Sequence, residues 1–390
     1  MEGDFIKINE WLLPLSWLYG LVVKCRNLLF DVGILKSRSF KVPVVSVGNI
    51  TVGGTGKTPH VEYLIKLLQP QFKVAVLSRG YKRKSHGYVI ADEHSTVRDI
   101  GDEPYQMKQK FPGTTIAVDK NRCHGIDQLT ANDKDLDVIL LDDAFQHRYV
   151  KPGINILLVD YHRLIIYDKL LPAGRLREPL SGKDRADIVI VTKCPENLKP
   201  MEFRVITKAM NLFPYQHLYF TTLEYGHLKP AFNTAKGATP IELNELKNYN
   251  VLLLTGIASP KQMIHDLKDY TAHLTPIAYK DHHQFKQKDL AHVCKAFEEL
   301  PSPKIIITTE KDATRLKALN TISDDIKNNL YVLPVNIKFM LEQTEMFNDN
   351  IKGYVFTNSR NSILTKGKSN YEPKNKKRSE KKNRTISFRN

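Results

Sequence analysis

The sequence predicts an α/β protein in which a larger domain on a parallel sheet precedes a smaller α/β domain. Three observations carry that expectation. From Val42 to about Phe220, short β-branched runs alternate with stretches whose apolar residues recur at helical spacing. A second, shorter alternation runs from Asn250 to Val335. A glycine-rich loop, Thr51 to Thr58, joins the first strand of the larger set to its first helix. Strands that alternate with helices build parallel sheets covered on both faces. With 390 residues, 42% of them hydrophobic, the chain can form two cores.

Residues 1–40 open the chain as an amphipathic helical region. The apolar run from Trp11 to Val23 is shorter than the ~20 residues that span a bilayer. Both tryptophans, Trp11 and Trp17, lie there beside Tyr19, and Lys24 and Arg26 follow. Aromatic residues next to basic ones suit a helix lying in a membrane interface. An amphipathic helix packed on the core is the alternative. No cleavable signal is visible, since residues 1–10 carry charges of both signs.

The larger domain is expected over residues 41–221, with strands at 42–47, 73–77, 115–118, 137–141, 155–159, 187–191 and 217–221. Helices fill most gaps, including 103–111, 121–129 and 201–212. Residues 222–246 change texture: 223–225 and 240–243 read as two short strands linking the domains. The smaller domain is expected over 247–355, with strands at 250–254, 274–279, 304–308 and 329–335 and helices near 261–267, 288–300 and 313–318. Residues 356–390 read as a basic, disordered tail. From Lys366 on, ten Lys and Arg against two Glu give that tail +8, half of the net +16. The rest of the charge suits an anionic ligand or membrane surface. No zinc-finger or RNA-binding signature points to nucleic acid. Cys25, Cys123, Cys194 and Cys294 lie far apart, so neither a zinc site nor a disulfide framework is suggested, and a reducing cytoplasm follows.

Strand, glycine loop and helix together form the setting of a phosphate-binding loop. Thr51, Val52, Gly53, Gly54, Thr55, Gly56, Lys57 and Thr58 lead into the helix, whose free amides and dipole favour an anion. Lys57 offers a point charge to terminal phosphates, and Thr58 a hydroxyl for Mg²⁺. Thr51 stands where the general pattern has its first Gly. Asp142 and Asp143 end an apolar strand, which is how P-loop enzymes hold Mg²⁺. Gln146 and His147 follow in the same crevice. Asp102 and Glu103 open a helix, either as first-turn caps or with a carboxylate serving as general base. Among Asp281, His282 and His283, a histidine is either merely solvated or orients a carboxylate across the interdomain cleft. Arg79, Arg122, Arg175 and Arg177 supply cations near strand ends. Lys193 and Lys311 also sit at strand ends, without the N-K-x-D pattern that reads guanine.

Several segments now occur in a telling order. Ser46-Val47-Gly48-Asn49-Ile50 runs into the loop. Ser78-Arg79-Gly80-Tyr81, Gly101-Asp102-Glu103-Pro104 and Leu141-Asp142-Asp143-Ala144-Phe145-Gln146-His147 follow. Leu176-Arg177-Glu178-Pro179, Asp281-His282-His283 and Thr309-Glu310-Lys311-Asp312-Ala313 complete the series. Over about residues 10–335 the chain resembles the tetraacyldisaccharide 4′-kinases, the lipid A 4′-kinases of Gram-negative bacteria. That family also has a hydroxyl residue at the Thr51 position, and Ala144 replaces its usual Gly.

The resemblance implies transfer of the ATP γ-phosphate to the 4′-hydroxyl of a tetraacylated disaccharide 1-phosphate. It implies two α/β/α domains, the larger P-loop NTPase-like, joined by a two-stranded linker. It also implies a peripheral location on the cytoplasmic face of the inner membrane through the N-terminal helix. Asp102 and His282 become the catalytic pair. Residues 51–58 hold the nucleotide, and Thr58, Asp142, Asp143 and Glu103 the Mg²⁺. Arg79, Arg122, Gln146, His147, Arg177 and Glu178 contact substrate or phosphate. The alternatives are a membrane-associated P-loop nucleotidase or other phosphotransferase, and a non-catalytic nucleotide-binding scaffold.

Overall fold

In the computed structural model, which describes residues 8–232, 239–281, 283–319 and 322–359, the chain alternates strands with helices as the apolar pattern requires. The strands of the first set are β1 (Val44–Gly48), β2 (Val74–Ser78), β3 (Val89–Ile90), β4 (Thr115–Val118), β5 (Val138–Asp142), β6 (Ile154–Asp160), β7 (Ile188–Thr192) and β8 (His217–Tyr225). With them run helices α1 (Leu13–Asp31), α2 (Lys57–Leu68), α3 (Val97–Ile100), α4 (Asp102–Lys110), α5 (Arg122–Asn132) and α6 (Pro200–Met210). The second set has β9 (Lys229–Pro230), β10 (Asn250–Thr255), β11 (Leu274–Ala278), β12 (Lys304–Thr309), β13 (Leu330–Leu333) and β14 (Val335–Phe339). Its helices are α7 (Lys261–Leu267), α8 (Gln287–Glu298), α9 (Glu310–Lys317) and α10 (Asp324–Asn329), and α11 (Thr344–Asn358) closes the described chain.

The larger sheet has the order β14-β8-β7-β6-β1-β5-β2-β4-β3, parallel except for the antiparallel edges β3 and β14. Alternate residues of each strand face opposite sides, so each strand feeds two cores. Val45, Val47, Val138 and Leu140 pack with Leu64, Ile65 and Leu68 of α2. On the other side Val44, Ile139 and Leu141 meet Ile126 and Leu129 of α5, while Val189 and Val191 meet Phe203 and Ile206 of α6. β1 lies centrally, with β5 on one side and β6 on the other, so the loop after it opens into the crevice at the strands' carboxyl ends. The smaller sheet, β11-β10-β12-β13-β9, is covered by α8 on one face and α7 on the other.

Two expectations for the linker region change. The strand expected at 329–335 is broken at Pro334, which has no N–H to donate to a sheet. Its first half, β13, joins the smaller sheet beside β12. Its continuation, β14, crosses back and pairs antiparallel with β8, Val335 opposite Tyr225 and Phe339 opposite Thr221. The partner of 223–225 is therefore 335–337 rather than 240–243, where Ile241 instead bridges Leu228. Secondly, α11 returns to the larger sheet: Phe347, Ile351 and Val355 fill its core, with Phe347 stacked on Phe339 at 4.4 Å. The sequence reading had assigned that stretch to the smaller domain, because its periodicity does not say which sheet covers it. The basic tail expected from 356 starts inside α11, and residues from 360 on lie outside those described.

α1 packs on the larger domain through part of its surface and leaves the rest exposed. Its docked face is narrow and small: Ser16, Gly20, Val23 and Phe30 are buried, and a Cβ on Gly20 would sit 2.7 Å from Leu170. Ser16 Oγ donates to Leu170 O and accepts from Ala173 N–H, each at 3.0 Å. Tyr19 Oη donates to Arg177 O at 2.8 Å and Arg26 to Gln146 O at 2.7 Å, so the helix braces segments next to the glycine loop. The large apolar residues point away: Trp11 is 93% and Trp17 73% exposed, with Leu18, Leu21, Val22 and Leu28 exposed beside them. Among the described residues, no helix is long and apolar enough to cross a membrane.

Candidate active site

The loop between β1 and α2 is shaped by two glycines in left-handed backbone, Gly53 (φ +126°) and Gly56 (φ +79°), which a side chain would strain. Thr51 keeps negative φ, which is why it can replace a glycine. It is held from outside: Asn49 Nδ2 donates to Thr51 Oγ1 at 3.2 Å, Val52 N–H to Arg175 O at 2.8 Å, and Arg177 N–H to Ile50 O at 2.7 Å. The loop carbonyls are tied back as well. Lys193 Nζ donates to Gly54 O, Thr192 Oγ1 to Thr55 O at 3.1 Å, and His60 Nδ1 to Gly56 O at 2.7 Å. No hydrogen bond among the described residues takes up the amides of 53–58. With carbonyls bound behind and amides unclaimed, the loop is arranged to receive an anion.

His60 has a defined tautomer. Gly56 O can only accept, so Nδ1 carries the proton, and Nε2 accepts from Thr221 Oγ1 at 3.2 Å. Burial pushes its pKa down to about 4, and nearby Lys193 adds to the shift. The unfolded chain takes up this proton below about pH 6.5, the folded one only near 4. Between those limits the unfolded state holds more protons, so stability falls as pH falls, by up to about 3 kcal/mol. His60→Gln is expected to flatten this slope; thermal melts at pH 7.5, 6 and 5 check it, and a wild-type slope in the variant would refute it. His147, also lowered to about 4 by burial and then by Arg122, Arg26 and Arg79, leaves a slope of the same sign, which Asp142, raised to about 6, opposes below about pH 6.

The paired aspartates stand across from the loop. Asp142 is buried; Oδ2 accepts from Ser78 Oγ at 3.0 Å, and Oδ1 finds no hydrogen-bond partner among the described residues. Burial, then Asp143 and Glu103, push its pKa up to about 6. Asp143, in left-handed backbone (φ +48°), places Oδ1 3.6 Å from Lys57 Nζ and Oδ2 3.8 Å from Arg177. Against the upward push of desolvation, Lys57, Arg177 and Arg122 hold its carboxyl below the ordinary value. Gly48 allows the chain after the pair to return closely: a Cβ there would sit 2.7 Å from Phe145.

The cations expected at the strand ends divide into groups. Arg122 is buried and donates to Asp119 O at 2.7 Å and Asp142 O at 3.1 Å, while its Nε finds no partner among the described residues. Burial lowers its pKa to about 10. Arg79 lies close enough for its charge to act on both Arg122 and His147. His147 Nε2 is buried with no hydrogen-bond partner among the described residues, and Gln146 Oε1 accepts from Arg177 at 3.4 Å. Glu178 is 1% exposed: its Oε2 accepts from Arg185 at 2.6 Å, and its buried Oε1 finds no hydrogen-bond partner among the described residues. Its neighbour in sequence, Arg177, does reach the crevice.

Asp102 and Glu103 start α4, directly after Gly101, which lies against the turn following β2: a Cβ there would meet Tyr81 O at 3.0 Å. Their side chains face the smaller lobe. Asp102 Oδ2 accepts from Arg315 Nη2 at 2.6 Å and Nε at 3.0 Å, and Glu103 meets Lys311 Nζ at 2.8 Å. Glu103 is thus drawn to α9, and among the described residues no group of three or more His, Cys, Asp or Glu is arranged to hold a metal ion. His282 lies outside the described residues. His283 is committed: its Nε2 meets Asp289 at 2.9 Å, and its ring stacks on Tyr279 at 4.4 Å. Sequence reasoning missed His60, Thr192, Asp160 and Arg315. Lys193 was visible as a strand-end lysine, but its bonds to Gly54 O and Asp160 were not.

Known proteins resemble this chain in sequence and in fold. The profile of the tetraacyldisaccharide-1-P 4′-kinase family matches residues 8–354. A tetraacyldisaccharide 4′-kinase of Phocaeicola vulgatus is 58% identical over 365 residues, 93% of this chain and 99% of the relative. One of Bacteroides thetaiotaomicron is 54% identical over 372 residues, 94% of this chain and 98% of the relative. Among solved structures, LpxK from Aquifex aeolicus in complex with ATP superposes with a TM-score of 0.66 at 30% identity, covering 88% of this chain and 98% of that one. A profile match along nearly the whole described chain, and relatives more than half identical across their full length, lead to one statement: this chain belongs to the tetraacyldisaccharide-1-P 4′-kinase family.

Proposed function

We propose that the protein transfers the γ-phosphate of ATP to the 4′-hydroxyl of tetraacyldisaccharide 1-phosphate, giving the 1,4′-bisphosphate. The observation that carries the reading is the amide-lined loop with Lys57, faced by Asp142 and Asp143 at the end of β5. Phosphoryl transfer asks mostly for positioning and charge neutralisation, and this crevice supplies both. The 51–58 loop and Lys57 hold the triphosphate. Asp102 accepts the proton of the sugar hydroxyl. His282, by its position in the family's series of motifs, orients Asp102, while His283 is engaged with Asp289. Arg79, His147 and Arg177 line the approach for anionic groups.

The donor set fits Mg²⁺. Asp142 offers a buried carboxylate oxygen without a partner, Asp143 is held ionised beside it, and Thr58 follows Lys57 on α2. One or two carboxylates plus a hydroxyl suit an ion that shares its coordination with phosphates and water. When bound, Mg²⁺ supplies neutralisation of the charge on the β- and γ-phosphates. Glu103, engaged with Lys311, serves that site from the periphery.

An acylated substrate stays in its bilayer, so the enzyme comes to it. We assign the exposed face of α1 to the cytoplasmic surface of the inner membrane, where ATP is available. Docking of α1 on Arg177 and Gln146 sets the crevice beside that surface. The test is γ-labelled ATP with the disaccharide 1-phosphate in mixed detergent micelles: label is expected in the lipid, and label released only as inorganic phosphate would discard the reading. Trp11→Ser with Trp17→Ser is expected to cut vesicle co-sedimentation and raise KM for the lipid several-fold, with KM for ATP unchanged; unaltered partitioning would remove α1 from the membrane.

A further inference from the structure

Three ion pairs join α4 of the larger lobe to α9 of the smaller: Asp102–Arg315, Glu103–Lys311 and Lys110–Glu310. They are not equivalent. Lys110 and Glu310 are partly exposed, as are Glu103 and Lys311. Arg315 is buried, and every arm of its guanidinium is used. Nε and Nη2 both donate to one oxygen of Asp102, Oδ2, at 3.0 and 2.6 Å. Nη1 donates to Asp312 Oδ1 at 2.9 Å and to Gly256 O at 3.1 Å. Asp312 is locked in turn: Gly256 N–H donates to its Oδ2 at 2.8 Å, and Thr309 Oγ1 at 2.7 Å. A fork fixed on three sides defines where the carboxylate it holds must lie.

The same residue touches the segment that faces the nucleotide loop. Gly256 directly follows β10, and two residues on, Ala258 lies against the glycine loop: a Cβ on Gly54 would come within 3.2 Å of Ala258 Cβ. One side chain therefore binds both the base and the strand end that approaches the phosphate cradle. Its charge is shared as well. A guanidinium given wholly to Asp102 would quench a base, but Asp312 takes part of it, so the three groups together keep one negative charge.

We propose that Arg315 is a positioning residue for phosphoryl transfer, holding Asp102 in register with the phosphate-binding loop through Asp312 and Gly256. This rests on the reading of Asp102 as the base. Arg315 acts when the lobes are apposed as here: the smaller lobe brings a preformed fork, and the base is set only on contact with it. Lys110–Glu310 and Glu103–Lys311 hold the lobes together, while Arg315 places the reacting carboxylate.

The test is a double-mutant cycle on the full chain with labelled ATP and lipid. Arg315→Gln is expected to lower kcat about a hundredfold, the scale of a small misplacement of a reacting group, with KM for both substrates within threefold of wild type. Arg315→Lys, which keeps the charge without the fork, is expected to recover part of that loss. In an Asp102→Asn background, Arg315→Gln is expected to cost less than twofold more, because there is no base left to place. Glu310→Gln, which breaks the neighbouring pair, is the control for mere attachment of the lobes. The inference is overturned if Arg315→Gln costs no more than Glu310→Gln, or if its full loss persists in the Asp102→Asn background. If Asp102→Asn alone keeps a near-normal rate, the base assignment itself fails and this inference falls with it.

Discussion

Asp102→Asn is expected to lower kcat by about 10²–10⁴, the usual contribution of a positioned general base, while the affinity for ATP stays at the wild-type value. Two features make the outcome specific. Asp102 opens α4 and belongs to no part of the 51–58 loop, so its loss leaves the phosphate cradle intact. Asparagine keeps the shape and an oxygen for Arg315, so the lobes stay joined. What it removes is a group able to take the hydroxyl's proton. Single-turnover transfer with labelled ATP measures the rate, and binding of a non-hydrolysable analogue measures affinity. A variant that turns over within a few-fold of wild type would show that the proton goes elsewhere.

Asp142→Asn should act in two opposite directions. Turnover is expected to fall by 10³ or more, because the carboxylate proposed to hold Mg²⁺ becomes a neutral amide. Stability of the ligand-free protein is expected to rise. Asp142 has its pKa pushed up to about 6 from 3.8 by burial, so the folded state disfavours the ionised form. Between about pH 4 and 6 the folded chain keeps a proton that the unfolded chain has released, and stability falls as pH rises. Above pH 6 the full deficit is present, up to about 3 kcal/mol at about 1.4 kcal/mol per pH unit. Asparagine removes that deficit and retains an acceptor for Ser78. Melts at pH 7.5 without nucleotide should place the variant several degrees above wild type. Adding Mg²⁺ and ATP should stabilise wild type more than the variant. A variant that melts lower in the ligand-free state, or gains as much from Mg²⁺ and ATP, would refute the assignment. An active site that weakens its own fold at neutral pH is a common arrangement.

Much of the fold was legible because its signals are local. Four-to-six-residue β-branched runs located β1, β2, β4 to β7, β10 and β12 to within a residue or two, since a strand buried on both faces must be apolar throughout. Asp142 and Asp143 were visible as a strand end, and the glycines of the loop as a strand–helix turn. Pro334 was read through, although it divides a strand between two sheets. Among the histidines, the residue types alone did not separate 282 from 283; the family resemblance pointed to His282, and the structure adds that His283 meets Asp289.

By itself the sequence determined the alternation of strands and helices, the phosphate-binding loop and the acidic strand end, because each is written in residues close along the chain. Tertiary structure alone decided that α11 and β14 return to the larger sheet, that Glu178 faces inward, and that the docked face of α1 is the small one. It alone decided that Asp102 meets Arg315 across 213 positions of sequence. The physical reason is that periodicity tells a segment which of its faces is apolar, but not what will cover that face. A buried carboxylate shows that it needs a partner, and only packing chooses which cation arrives.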